Sequence, residues 1–231
     1  MTSLPILFQD EWLVAIDKPA GQLVHPADHP KPDDLVAMKI LRDQIGQNIH
    51  VIHRLDQPTS GVVLFALDKY PAKKLRQAFE KRHVEKTYLA IVHGHPTRPS
   101  WDCDLSLRKS EDAPEKPAFT AFKNLSHLAH DLTLIEAKPH SGRFHQIRRH
   151  LLHCCHPIVG DFRYLDEADC HLLGEKLGIG TRMLLQAKSL TLIHPVTKEP
   201  LTIAAPTDLL IERLAKKGPA PSSGTSHTQN E

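Results

Sequence analysis

The longest uninterrupted apolar run in this chain, Val62 to Leu67, is only six residues long. A bilayer span needs roughly 20, so the run has the length of a buried strand. The other apolar stretches are no longer, and 18 prolines and 11 glycines punctuate them. Such a chain must build its core from short strands and a few amphipathic helices. Its 231 residues suffice for a substantial core. With 40% apolar and 24% charged residues, global disorder is excluded.

The order of the segments predicts the fold class. Ile6–Phe8 and Trp12–Ile16 read as strands around a Gln9-Asp10-Glu11 turn. A proline-rich loop follows. Asp33 and Asp34 are N-cap candidates for a helix carrying Leu35, Met38, Ile40 and Leu41, ending near Gly46. After the strand 62–67, a helix is predicted from Pro71 to His83. Leu75, Ala78 and Phe79 form its apolar stripe, and Lys73, Lys74, Arg76, Lys81 and Arg82 lie outside it. Thr87–Val92 is a further strand. Segments 96–104 and 108–118 read as loops, Phe119–Leu125 and Leu132–Ala137 as strands. A helix opens behind Ser141-Gly142, and 157–180 is irregular. Met183–Ile193 and Leu201–Ala204 are strands, and Thr207 caps a last helix through Lys216. Strands joined by both hairpins and helices imply an α+β fold with a mixed, largely antiparallel sheet flanked by helices. One domain is expected over 1–216. The tail 217–231 lacks an apolar anchor and is expected to be disordered.

Charge narrows the partners less than its distribution will. Lys plus Arg number 29 against 27 for Asp plus Glu, a net +2. That excludes a polycation but leaves open a basic groove backed by an acidic face. The first residues lack a cationic start and meet Asp10 and Glu11 early, unlike a signal peptide. Cys103, Cys154, Cys155 and Cys170 are too few and too irregular for a disulfide framework. A reduced, cytoplasmic protein is expected, with no membrane association.

Three features carry candidate chemistry. In "HRLDQPTSG", residues 53–61, an imidazole, a guanidinium and a carboxylate sit in four residues at the mouth of the apolar strand. Asp56 there is either a turn-capping residue or a carboxylate kept ionised for nucleophilic or acid–base work. In "GRFHQIRRH", residues 142–150, a helix would bring His145, Arg148 and Arg149 within one turn. A planar guanidinium suits both a carboxylate and a phosphate; an exposed cationic face is the plain alternative. Tyr88, beside Lys86, is either core or a ring for base stacking or proton transfer. The run "HLLHCCHP" invites a zinc reading for His150, His153, Cys154, Cys155 and His156. Four consecutive side chains cannot all face one ion, so buried thiols at a helix end are the expectation.

"HRLDQPTSG", "KTYLAIVHG" and "GRFHQIRRHLLHCCHPIVGD", in that order, resemble the motifs of the RluA family of pseudouridine synthases. The resemblance extends from about Ile6 to Pro206, and is greatest to the tRNA pseudouridine-65 synthase branch. It implies a single catalytic domain with a central RNA-binding cleft, isomerising uridine in RNA without metal or cofactor. Asp56 matches the family's aspartate, as nucleophile or proton acceptor. Arg148 matches the arginine that holds it ionised, and Tyr88 the tyrosine under the target base. Arg54 matches a residue inserted where the base leaves the stack. His53, Arg143, Gln146, Arg149 and Lys86 are expected as further substrate contacts, and the basic helix Lys73–Arg82 as a source of phosphate contacts. The family usually carries a histidine where this chain has Gln186 in "LQA". The expected partner is tRNA, with ribosomal RNA as the alternative, and a monomer without an obligate protein partner. A non-catalytic RNA-binding protein is the reading from another class.

Overall fold

The computed structural model describes residues 3–26 and 35–216. The N-cap candidates Asp33 and Asp34 and the tail 217–231 lie outside the described residues. Ten strands and five helices follow in chain order: β1 (Ile6–Gln9), β2 (Leu13–Lys18), α1 (Ala37–Ile45), β3 (His50–Val51), β4 (Ser60–Ala66), α2 (Lys69–Glu80), β5 (Glu85–His93), β6 (Ser100–Cys103), β7 (Thr120–Leu128), β8 (Leu132–Pro139), α3 (Gln146–His153), α4 (Glu167–Leu177), β9 (Leu185–Ile193), β10 (Pro200–Ala204) and α5 (Leu209–Lys216). The fold is α+β and its sheet mixed and largely antiparallel, as the segment order implies.

The sheet runs β1-β2-β4-β9-β5-β8-β7-β6, with β3 on β4 and β10 on β9. Its one parallel pairing joins β4 to β9 through only two residue pairs, Ser60 with Gln186 and Gly61 with Ala187. Gly61 is required there. Its φ is +109°, and a Cβ would sit 2.1 Å from the Ala187 carbonyl oxygen. Two antiparallel halves thus meet at a narrow seam.

Period-two alternation assigns each face its helices. On the front of the first half, Val14, Ile16, Val63 and Phe65 pack with α1 and Leu55. On the front of the second half, Ala90, Val92, Ile135 and Ala137 pack with Ile147 and Leu151 of α3. Tyr88 packs against both of these clusters, at the join. On the back, Val62, Leu64 and Ala66 face Ala72 and Leu75 of α2. Ile91 and Leu132 face Leu177 of α4 and Ile211 and Leu214 of α5.

Several boundaries depart from the sequence reading for identifiable reasons. Val36 takes the N-cap of α1 in extended conformation, its own side chain forming no cap. Gly46 ends it in the left-handed region, as expected. Asp208, not Thr207, caps α5, its carboxylate accepting the Leu210 N–H at 3.0 Å. Residues 100–103, expected as loop, form edge strand β6, whose side chains are half exposed. The irregular stretch 157–180 contains α4, opened by Asp166, which accepts from the Ala168 and Asp169 N–H groups. Gly174, inside α4, lets the helix approach the Gly180 carbonyl oxygen; a Cβ there would be 2.2 Å away.

Candidate active site

Asp56 lies ahead of β4, at the seam. The turn 56–59 is closed by the backbone, the Thr59 N–H donating to the Asp56 carbonyl at 3.0 Å. The carboxylate therefore has other work. Its Oδ2 faces Arg148 Nη1 at 3.4 Å and His145 Nε2 at 3.8 Å. Arg148, on α3 and buried, donates from Nε to Asp161 Oδ2 at 2.8 Å and from Nη2 to Asp161 Oδ1 at 2.6 Å. Asp161 thus holds the guanidinium as a two-pronged clamp and presents its third nitrogen to Asp56. Tyr164 adds a ring 5.1 Å from the guanidinium carbon. Arg148 is therefore oriented before any substrate arrives.

His145 precedes α3 with φ +52°, rather than lying inside the helix. Its Nδ1 is 2.9 Å from the Tyr164 hydroxyl and its Nε2 is 3.1 Å from Arg148 Nη1. An arginine only donates, so His145 accepts at Nε2 and its proton lies on Nδ1. Burial holds it neutral well below its ordinary range, opposed by Asp56 and reinforced by Arg148 and Arg163. Tyr88, across the seam, has its phenol pushed up by burial and by the Asp56 charge. That carboxylate is thus within electrostatic reach of the ring.

Lys18 supports the site from beneath, with no exposure at all. Its Nζ donates to the carbonyls of Pro19 and Gln22 at 2.8 Å each and of Gln57 at 3.3 Å. Burial pushes its pKa down to about 7, while Asp56 opposes that fall. Three carbonyl acceptors use all three ammonium N–H groups, which favours the charged form. Lys18 ties the backbone next to Asp56 to β2, and Gln57 adds a bond from Nε2 to the Gly21 carbonyl at 3.0 Å.

The remaining expected contacts divide. Arg54 is exposed, with Nη1 3.2 Å from His25 Nε2. Arg143 donates to the Pro117 carbonyl at 3.3 Å and Arg149 to the Arg108 carbonyl at 2.8 Å. Lys86 donates to the Ser141 carbonyl at 2.7 Å, and burial lowers its pKa to about 8. Gln146 is buried, with its amide engaged within the protein. It accepts from the Ser141 hydroxyl and the Arg143 N–H and donates to the Phe119 carbonyl and the Thr120 hydroxyl, exhausting its amide. His53 is engaged likewise: its Nε2 accepts the Leu64 N–H at 3.0 Å and its ring stacks on Phe79 of α2. The basic helix α2 packs on the back of the sheet, whereas α3, which carries Arg148, packs on the front.

Gln186, where the family usually has histidine, ties β9 to the approach to α5. It donates to the Pro206 carbonyl at 2.7 Å and accepts the Asp208 N–H at 3.0 Å. The His/Cys run is dispersed: His150 is bonded to the Leu105 carbonyl, His156 to that of His93, and Cys155 is exposed. Among the described residues no group of three or more His, Cys, Asp or Glu side chains is placed to hold a metal.

His53 gives a pH prediction. Burial, with Lys86 nearby, pushes its pKa down to about 3 from the ordinary 6.5. Between these values the unfolded chain binds a proton that the folded chain does not. Stability therefore rises with pH through that window and is lost as pH falls. The urea midpoint should drop from pH 7 to pH 4.5, and His53→Gln should flatten that drop. An equal drop in both proteins would contradict the assignment.

The sequence model of the family described as RNA pseudouridylate synthase matches residues 12–153. A tRNA pseudouridine synthase C from Haemophilus ducreyi is 40% identical over 223 residues, covering 89% of this chain and 91% of that protein. Its counterpart from Vibrio cholerae is 38% identical, covering 89% and 91%. The human RNA pseudouridylate synthase domain containing 4 superposes with a TM-score of 0.73 at 27% identity, covering 92% of each chain.

Proposed function

Because this chain belongs to the RNA pseudouridylate synthase family, we propose that it isomerises one uridine of tRNA, at position 65, with Asp56 as the reacting carboxylate. Pseudouridine formation breaks the C1′–N1 bond, turns the uracil and joins its C5 to C1′. The enzyme is an isomerase. The observation that carries the site assignment is Asp56 facing a guanidinium already clamped by Asp161. The guanidinium sets a fixed positive charge beside that carboxylate and, as a group that does not give up its proton, cannot act as its acid. Tyr88, packed against both front clusters at the same seam, supplies an aromatic ring. A uridine in paired RNA exposes neither C1′ nor C6, so the base must leave the stack, at about a few kcal/mol. On this reading the exposed Arg54 occupies the gap, and the partly exposed Arg143, Arg149 and Lys86 meet phosphate or sugar.

The likeness of this chain to tRNA enzymes at 38–40% identity over most of both chains favours tRNA over ribosomal RNA. The four cysteines are free, which supports a reduced, cytoplasmic setting. Carbodiimide mapping of tRNA and ribosomal RNA from cells lacking the gene tests the reading. One tRNA pseudouridine should disappear and return with the wild-type gene. Loss of a ribosomal site instead would transfer the substrate, and loss of none would refute the reading.

A further inference from the structure

Phe144 is 40% exposed, yet it sits beside the most constrained side chains of the molecule. Its ring stacks on that of His145, centroids 3.7 Å and planes 19° apart. His145 Nε2 is in turn 3.8 Å from Asp56 Oδ2. The exposed Arg163 guanidinium lies 5.8 Å from the centre of the Phe144 ring. His145 is pinned by Tyr164 and Arg148, and its left-handed backbone fixes how the chain enters α3. The ring is therefore held flat on a rigid support, one imidazole away from the reacting carboxylate. It joins none of the core clusters and leaves much of its surface to water.

A flat exposed aromatic with a mobile cation over it is a surface on which a nucleobase can stack. The base next to an extruded uridine has just lost its own stacking neighbour. We propose that Phe144 is a stacking platform for the nucleobase adjoining the target uridine, the exposed Arg163 guanidinium that lies over the ring sliding off it to meet the phosphate. The ligand is a nucleobase of any identity, because each has a π-face. Phe144 thereby determines binding and register rather than chemistry. This inference rests on the uridine-isomerase reading.

The test uses an unmodified tRNA transcript with 2-aminopurine on the 5′ or the 3′ side of the uridine located by the mapping. Wild type should quench one of the two labels. Phe144→Ala should raise KM on the order of tenfold, keep kcat within about twofold and lose the quench. Phe144→Trp should retain both. Phe144→Leu, which still covers His145 but has no π-face, should behave like alanine. Quenching that survives in the alanine and leucine variants would overturn the platform. So would a fall in kcat with a displaced pH profile and unchanged KM, since Phe144 would then only shield His145. Turnover by wild type on the same transcript separates the two readings. No pseudouridine with wild type would sink both, whereas normal turnover with unaltered Phe144→Ala binding would sink the platform alone.

Discussion

Asp56→Asn is expected to abolish isomerisation while leaving the fold intact. Asparagine has the same shape, and its amide oxygen can still accept from Arg148 Nη1, a contact that is already long at 3.4 Å. The turn that carries residue 56 is closed by its backbone and tied down by Lys18, and neither depends on the carboxylate. Unfolding midpoints should therefore match wild type closely. The amide can neither attack carbon with a full negative charge nor accept the C5 proton. Loss of a group that reacts covalently or as a base costs about 10⁴-fold or more in kcat. Release of tritium from RNA labelled at uridine C5 measures the turnover, and filter binding checks that RNA is still held. Turnover within tenfold of wild type would remove Asp56 from the chemistry.

The largest loss of stability is expected from Asp161→Ala. Both members of the Arg148–Asp161 pair are almost wholly buried, with side chains 5% and 3% exposed. Removing Asp161 leaves the guanidinium with two orphaned N–H directions in a site closed to water. Breaking such a pair costs roughly 3–5 kcal/mol. Freed of its clamp, Arg148 also loses the orientation that aims Nη1 at Asp56, so kcat should fall together with stability. The double replacement Arg148→Met with Asp161→Leu separates the effects. With both charges gone and apolar volume kept, it should be more stable than Asp161→Ala, yet inactive. Urea unfolding of the three proteins is the measurement. An Asp161→Ala protein within about 1 kcal/mol of wild type would show that the pair is not structurally important.

The contrast between Asp161 and Asp56 shows what the sequence could disclose. Asp56, Tyr88 and Arg148 lie in short motifs whose resemblance to a family is specific, and the structure gathers them at one seam. Asp161 closes one of those motifs, but its partner is on the preceding helix and the intervening chain turns through Gly160. No spacing rule predicts that closure. His53 and Gln146 illustrate what a motif leaves open. Membership of a motif does not say which way a side chain points, and both are spent on backbone and buried hydroxyl groups. Period two located most strands because one or both faces are buried. It failed for β6, an edge strand with only Cys103 buried. Helix α4 escaped because Gly174 and scattered polar residues blur its apolar stripe, although Asp166 and Gly178 mark its ends.

The narrow seam also dictates when in its life the molecule becomes competent. Strands β1 and β2, β7 and β8, and β9 and β10 are neighbours in the chain as well as in the sheet. Such local pairings close small loops and form early. Ser60 and Gly61 must instead wait for Gln186 and Ala187, which leave the ribosome much later. Asp56 hangs from one side of that last pairing, and Tyr88 pairs with Ala187 on the other. A nascent chain can therefore fold a half-sheet without possessing the seam. The Asp56 carboxylate meets its partners only after residues 186 and 187 have been made.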